Sequence, residues 1–324
     1  MKRRDFITLL GGAALTWPLA ARAQQRAIPV IGFLRSQSLS GSSYVVPAFL
    51  HGLKEAGFTN GQNVSIEFRY ADNQVGRLPA LARELIDRQA AAVVANVLGA
   101  LAVKEATATI PIVFVTGSDP VSDGLVTSLN RPTANVTGIS FMSGVLGAKR
   151  FEMLRQVVPG ATIAMLAEVD TLEAVAERKE VEAAAERIGQ HLVIFPVRGV
   201  TDFEPAFASV LQHRAGALLI GAGPMLTSHR EEVVALAARH ALPAFYSLRE
   251  FPAVGGLMSY GASITDAYRQ AGVYAGRILK GESPRNLPVM QAIKFEFVIN
   301  LNTAKTLGVT IPPNLLALAD EVIE

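Results

Sequence analysis

Short polar clusters follow several apolar runs of this chain, and their side chains suit reversible binding of a small polar molecule. Arg35-Ser36-Gln37-Ser38 follows the run 28–34. Ser36 and Gln37, with free N–H groups at a helix start, offer donors for a carboxylate, or they form a plain Ser-rich turn. Asn96 closes the third run and either bonds a ligand or closes its own turn. Thr116-Gly117-Ser118-Asp119-Pro120 follows the run 110–115. Thr116 and Ser118 supply hydroxyls there. Asp119 is ambiguous, because a carboxylate before proline is a standard helix cap as well as a partner for an ammonium group. Phe141 stands where the chain is expected to leave the first half, to stack on a ligand or pad a hinge. In the second half, Glu168 and Asp170 follow the first run, Tyr246 ends the fourth, and Glu250 comes shortly after, beside Arg249. Tyr246 is either an aromatic wall or ordinary core, and Glu250 either meets a ligand or pairs with Arg249.

Signatures of bond-making chemistry are absent from the sequence. No G-x-G-x-x-G follows a strand-like run, and neither G-x-x-x-x-G-K-[ST] nor G-x-S-x-G occurs. The five histidines are scattered, without H-E-x-x-H or a three-ligand spacing. No catalytic residue, metal or cofactor is assigned.

Those clusters need a scaffold, and the hydrophobic pattern supplies one. Strand-like runs at 28–34, 64–69, 91–97 and 110–115 alternate with helical stretches at 44–56, 78–88 and 100–108. A further helix is expected at 121–129, stopped by Asn130-Arg131-Pro132, before an extended run at 136–141. The same grammar returns at 162–167, 192–197, 217–221 and 242–246, with helices at 172–188, 203–213 and 228–240. Matching elements are displaced by roughly 125 to 135 positions, the size of an ordinary domain. Strands alternating with helices predict parallel sheets with right-handed crossovers. The fold class is therefore α/β: two Rossmann-like lobes with parallel sheets, joined by a multi-crossing hinge. Ligands of such sheets bind beyond the carboxyl ends of the strands. The tail adds a strand at 256–261, a helix at 265–279, a strand at 293–299 and a last helix at 315–323, most simply by crossing between the lobes again. The expected lobes are 28–138 with 263–290, and 139–262 with 291–324.

Residues 1–23 read as an export signal. Lys2-Arg3-Arg4 precedes an apolar stretch at 7–15, and Ala21-Arg22-Ala23 is a cleavage site. The arginine pair resembles a twin-arginine signal, although ordinary secretory leaders carry such pairs too. The apolar stretch is too short for a membrane anchor, and no longer one follows. The chain has 30 basic and 28 acidic side chains. The leader holds four of the former and one of the latter, leaving 26 and 27 in the mature chain, so no basic stripe points to nucleic acid. There is no cysteine, hence no disulfide and no lipid anchor on a thiol. Half the residues are apolar, enough for large cores. The expectation is a monomeric periplasmic protein, cleaved after Ala23.

The runs IPVIGF, GLKEAGFTNGQNVSIEFRYA, IPIVFVTGSDPVSDGLVTSLNRPTANVTGISF, GAKRFEMLRQVVPGA and INLNTAKTLGVTIPPNLLALADEVI resemble the ABC-transporter substrate-binding proteins of the tryptophan/tyrosine-transport type. The resemblance extends over 28–324. It implies a type I periplasmic-binding fold with three interlobe crossings and a ligand trapped between lobes. It also implies delivery to an ABC permease with a cytoplasmic ATPase. Aromatic amino acids are among that family's ligands, but the substrate itself does not carry over. The expected function is a solute receptor for an amino acid or similar small zwitterion, aromatic ones included. Two rivals stand beside it: an exported two-lobed enzyme, isomerase or hydrolase, and a ligand sensor for a membrane kinase.

Overall fold

The structure, a computed structural model, describes residues 28–132, 134–141, 146–169, 171–291 and 294–324. The first half runs β1 (Val30–Arg35), α1 (Leu39–Ser42), α2 (Val45–Glu55), β2 (Ser65–Tyr70), α3 (Leu78–Asp87), β3 (Ala92–Asn96), α4 (Val97–Ala106), β4 (Ile112–Thr116) and β5 (Val136–Ser140). The second half runs α5 (Gly147–Val157), β6 (Ile163–Glu168), α6 (Leu172–Arg187), β7 (Leu192–Val197), α7 (Phe203–Gln212), β8 (Ala217–Ile220), α8 (Pro224–Ser228), α9 (Arg230–Arg239) and β9 (Ala244–Tyr246). The tail adds β10 (Met258–Ala262), α10 (Ile264–Leu279), β11 (Met290–Gln291), β12 (Phe295–Asn300), α11 (Leu301–Leu307), α12 (Pro313–Leu318) and β13 (Glu321–Ile323). Central strands such as β3, β4 and β6 are buried throughout and apolar up to their last residue, as strands covered on both faces by helices must be.

Two sheets form. The first has the order β11-β5-β4-β3-β1-β2 and is parallel throughout. The second has the order β13-β12-β10-β9-β8-β6-β7 and is parallel except where β12 runs against β10. The chain passes from one sheet to the other three times: after β5, after β10 and after β11. In each sheet the strand order reverses once, between β1 and β3 and between β6 and β8. Such a reversal opens a crevice at the carboxyl ends of the two strands. One hydrophobic cluster runs without a break from the α2 and α10 side of the first sheet (Phe33, Phe49, Tyr268) to the α7 and α9 side of the second (Phe207, Val233).

The returning helix α10 is held to the first lobe by contact with α2 at backbone distance. A Cβ on Gly52 would lie 1.8 Å from the carbonyl oxygen of Arg269, and one on Gly272 would lie 2.2 Å from that of Phe49. Only hydrogen fits at either position. Ser263 caps α10 by accepting from the Asp266 amide, so the helix begins immediately beyond the second crossing.

Two expected helices are corrected. Residues 121–129 form turns, not a helix. Gly124 adopts φ +73, and the amides of Leu125 and Val126 both donate to the Pro120 carbonyl. The Asp123 carboxylate is drawn back to Ser118 and Thr116, the side-chain competition that keeps Ser, Thr and Asp out of helix interiors. At the carboxyl end, the helix expected over 315–323 stops at Leu318. Residues Glu321–Ile323 instead pair with β12, and Asp320 exchanges hydrogen bonds with the backbone of Phe297. The open edge of β12 needed partners for its N–H and C=O groups, which a strand supplies and a helix does not.

A methyl group between α2 and α10 has nowhere to go except against backbone. Gly52→Ala and Gly272→Ala are each expected to lower Tm by about 5 °C or more through overpacking. Gly61→Ala, where a Cβ meets nothing, should cost less despite its positive φ. Thermal melts followed by circular dichroism make the comparison.

Candidate functional site

The carboxyl ends of the two sheets face each other across a gap. From the first lobe it is lined by Arg35 and Gln37 after β1, Asn96 and Val97 after β3, and Val115, Thr116 and Gly117 around the end of β4. Phe141 at the first crossing and Ile264 and Tyr268 at the second join them. The second lobe adds Glu173 from the first turn of α6, Ala222–Pro224 after β8, Thr227 of α8, and Ser247 and Leu248 after β9. These are the ends of the strands at both reversal points and of their neighbours β4 and β9. The space between them is about 60 Å³, room for a few waters.

The gap is nearly shut. Beside it α1 touches α8, and the Arg230 guanidinium lies 5.1 Å from the centroid of the Tyr44 ring, across the lobes. Burial, with the Glu250 carboxylate nearby, pushes the Tyr44 phenol up to about 12 against the pull of Arg35 and Arg230. The ring therefore stays neutral at any physiological pH.

Of the residues expected from sequence, Gln37, Asn96, Thr116 and Phe141 line the gap, and Ser36, Ser118, Asp119, Tyr246 and Glu250 are not among the lining residues. Ser36 and Asn96 spend their groups on each other. The Ser36 amide donates to the Asn96 Oδ1 (3.1 Å), and the Asn96 Nδ2 donates to the Ser36 Oγ (2.7 Å). That pair ties the ends of β1 and β3 together where the strand order reverses. Thr116, Ser118 and Asp123 close into a second small network. Exposed Asp119 caps its own turn, accepting from the Val121 amide and the Ser122 hydroxyl. Tyr246 is core, 1% exposed, with its ring 4.7 Å from that of Phe251. Glu250 is buried with one oxygen lacking a hydrogen bond, and burial raises it to about 7. It makes no salt bridge to Arg249, whose guanidinium goes to Glu321 and Glu296. Asp170 lies outside the described residues.

Three gap residues were not singled out by the sequence. Arg35 ends β1 with 2% exposure. It donates from Nε to the Ser42 Oγ (3.3 Å) and from Nη1 to the Tyr268 hydroxyl, and its guanidinium lies 4.9 Å from the Tyr268 ring centroid. No carboxylate pairs with it among the described residues. Burial lowers its pKa, yet a guanidinium stays charged. Tyr268 sits on the apolar face of α10 and reads as core. Glu173 reads as a routine acid in the first turn of a helix. In the structure it lines the gap, and burial, then Glu177 and Glu168, raise it to about 8, with Arg150 opposing. The signal available for Arg35 was a cation directly after five apolar or glycine positions of a buried strand.

Behind the second wall, Arg150 and Glu177 form an ion pair with both side chains fully buried. The other Glu177 oxygen accepts from the Ala222 amide (2.5 Å), Arg150 also donates to the Tyr260 carbonyl, and Glu168 accepts from the Leu226 amide (2.8 Å). These bonds fix the loop after β8 against α6 and β6. Charges this deeply buried persist only when they are paired and further hydrogen-bonded.

Two α/β lobes, joined by three crossings and facing each other through their strand ends, define the type I periplasmic-binding class of fold. The chain belongs to the family of ABC transporter substrate binding proteins, which it matches over residues 27–323. A conserved domain protein from Vibrio cholerae O1 biovar eltor has a solved structure similar to this one, at 25% identity. The match covers 91% of this chain and 99% of that one, with a TM-score of 0.83. An ABC domain from Streptococcus pneumonia, solved in complex with L-Trp, is 25% identical over the same shares of the two chains, with a TM-score of 0.79. A tyrosine-binding protein of Clostridioides difficile is 24% identical over 261 residues, covering 80% of this chain and 75% of its own.

The raised Glu173 has a consequence for stability. Between its ordinary value of 4.5 and about 8, the unfolded chain has released this proton and the folded one has not, so folding weakens as pH climbs through that window. Glu173→Gln removes the effect. Its free energy of unfolding, read from denaturant melts at each pH, should exceed that of the parent by a margin that grows from pH 5 to pH 8, reaching at least about 1 kcal/mol. A margin independent of pH contradicts the assignment.

Proposed function

We propose that this protein is the extracytoplasmic receptor of an ABC importer, capturing an amino acid or similar small zwitterion, aromatic ones included, by closure of its two lobes. The observation that carries this reading is the gap itself. It gathers polar and aromatic groups from both lobes, and it is too confined to admit a solute unless the lobes part. Closure follows when ligand groups bridge both walls and so bind the closed state better than the open one. Gln37, Asn96, Thr116 and Phe141 are the ligand contacts proposed from the residues anticipated by sequence. The relatives described as binding tyrosine and L-Trp support an amino acid.

Delivery then goes to a membrane permease driven by a cytoplasmic ATPase, after a leader at 1–23 has directed export to the periplasm and been removed following Ala23. The moving bodies are 28–138 with 263–290, and 139–262 with 291–324, each chain acting as a monomer. No helix among the described residues is long and apolar enough to cross a membrane.

Purified mature protein screened by thermal shift against the twenty L-amino acids and a wider metabolite panel tests the reading. A receptor shows stabilisation that rises with the logarithm of ligand concentration above Kd, about 2.7 kcal/mol at a hundredfold excess, and returns the bound compound unchanged. Conversion of the bound compound would favour the exported enzyme instead, and silence across the panel would remove the receptor reading.

A further inference from the structure

A cation buried in a binding gap without an anionic partner is incomplete. Arg35 is 2% exposed and lines the gap. The side chains that meet its guanidinium are Ser42, Tyr44 and Tyr268, all neutral hydroxyl groups. Hydroxyls accept its N–H groups but do not balance its charge. Removing a guanidinium from water costs several kcal/mol unless an opposite charge is supplied. Guanidinium is also the group that best matches the planar, two-oxygen face of a carboxylate.

The opposite wall is incomplete in the complementary sense. Glu173 makes no hydrogen bond and no ion pair among the described residues, although it lines the gap. Its charged neighbours are Glu177 on the same helix, Glu168 at the end of β6, Asp123 from the first lobe and Arg150 of α5. Glu177 already holds Arg150 and Glu168 already holds the Leu226 amide, so the surroundings of Glu173 are short of positive charge. Gln37 adds a third open position: its Oε1 is buried without a partner while the residue lines the same gap. That oxygen can only accept.

We propose that Arg35 and Glu173 grip an α-amino acid from the two sides of the gap, Arg35 taking the carboxylate and Glu173, with the Gln37 carbonyl, taking the ammonium. The proposal rests on the receptor reading and adds to it which charge each lobe supplies to the ligand, with Gln37 of the first lobe assisting at the ammonium. In the empty gap Glu173 keeps its proton below about pH 8 and gives it up to solvent when an ammonium arrives beside it, so neither Arg35 nor Glu173 meets an opposite charge until the lobes close on the same head group. Closure is thus coupled to the zwitterion, and the side chain of the ligand is left to the apolar and aromatic lining, where Phe141, Leu248 and Ile264 stand. Compounds that keep one charge and lack the other satisfy one lobe only.

The test is a cycle of protein and ligand changes read by isothermal titration. The twenty L-amino acids are titrated into the wild type. The tightest binder is then compared with its primary carboxamide, which loses the anion, and with its α-N-acetyl form, which loses the cation. Each change should weaken binding to the wild type about 100-fold. In Arg35→Gln the acid and the carboxamide should bind within about threefold of each other. In Glu173→Gln the same should hold for the free amine and its N-acetyl form. A ratio between two ligands on one protein is insensitive to a general loss of folded fraction, and Arg35→Lys, which keeps the charge, serves where the Gln variant does not fold. It should retain at least a tenfold preference for the acid. Undiminished discrimination in both Gln variants overturns the grip while leaving the receptor intact. Binding of none of the twenty amino acids overturns it as well, and binding of another metabolite in that case shows that the receptor reading survives.

Discussion

In a parallel sheet every strand ends on the same edge, so the loops that follow the strands collect along one line. Two such sheets, connected three times, can bring those lines together, and this chain does so. Arg35, Asn96 and Thr116 are 61 and 20 positions apart in sequence, and they meet because they end β1, β3 and β4 of one sheet. Glu173, Ala222 and Ser247 meet them because they follow β6, β8 and β9 of the other. The contact of α10 with α2 through Gly52 and Gly272 keeps the returning chain on the first lobe, so the second crossing sits at the gap, where Ile264 and Tyr268 line it.

Rigid and unsatisfied polar groups divide the work. Ser36 with Asn96, Thr116 with Ser118 and Asp123, and Arg150 with Glu177 and the Ala222 amide are held by one another and set the shape of the walls, of which Asn96 and Thr116 face the gap. Arg35, Gln37 and Glu173 are left open toward the gap. Groups held in place before the ligand arrives lose little freedom when it binds, which is how preorganisation raises affinity.

The strands and most of the helices could be read from the sequence, because buried parallel strands are continuous apolar runs and the helices beside them keep a helical period. What failed was decided by contacts distant in sequence or by side chains competing with the backbone. The stretch 121–129 has helical spacing, but Gly124 and the pull of Asp123 toward Thr116 turn it. The last residues read as a helix until the edge of β12 claims them. Within the site, placement after a strand located Gln37, Asn96 and Thr116 but could not say which polar groups would be spent locally. Ser36 and Asp119 have the right chemistry and spend it within the protein, Ser36 on Asn96 at the end of β3 and Asp119 on its own turn. Tyr246 ends a strand as expected, but its ring turns to Phe251 in the core. Glu173 was hidden because an acid in a first helical turn has an adequate local explanation, and Arg35 because its lack of a counter-charge is a fact about three dimensions.

The central claim is that a ligand draws the lobes together. The chain has no cysteine of its own, so a pair of spin labels can be placed at Ser40→Cys on α1 and Glu231→Cys on α9, exposed positions on opposite lobes beside the gap. Without ligand, the account predicts a broad distance distribution that includes long separations. Saturation with the tightest-binding solute should collapse it to one narrow, shorter population. A distribution that stays the same at saturation would contradict capture by closure.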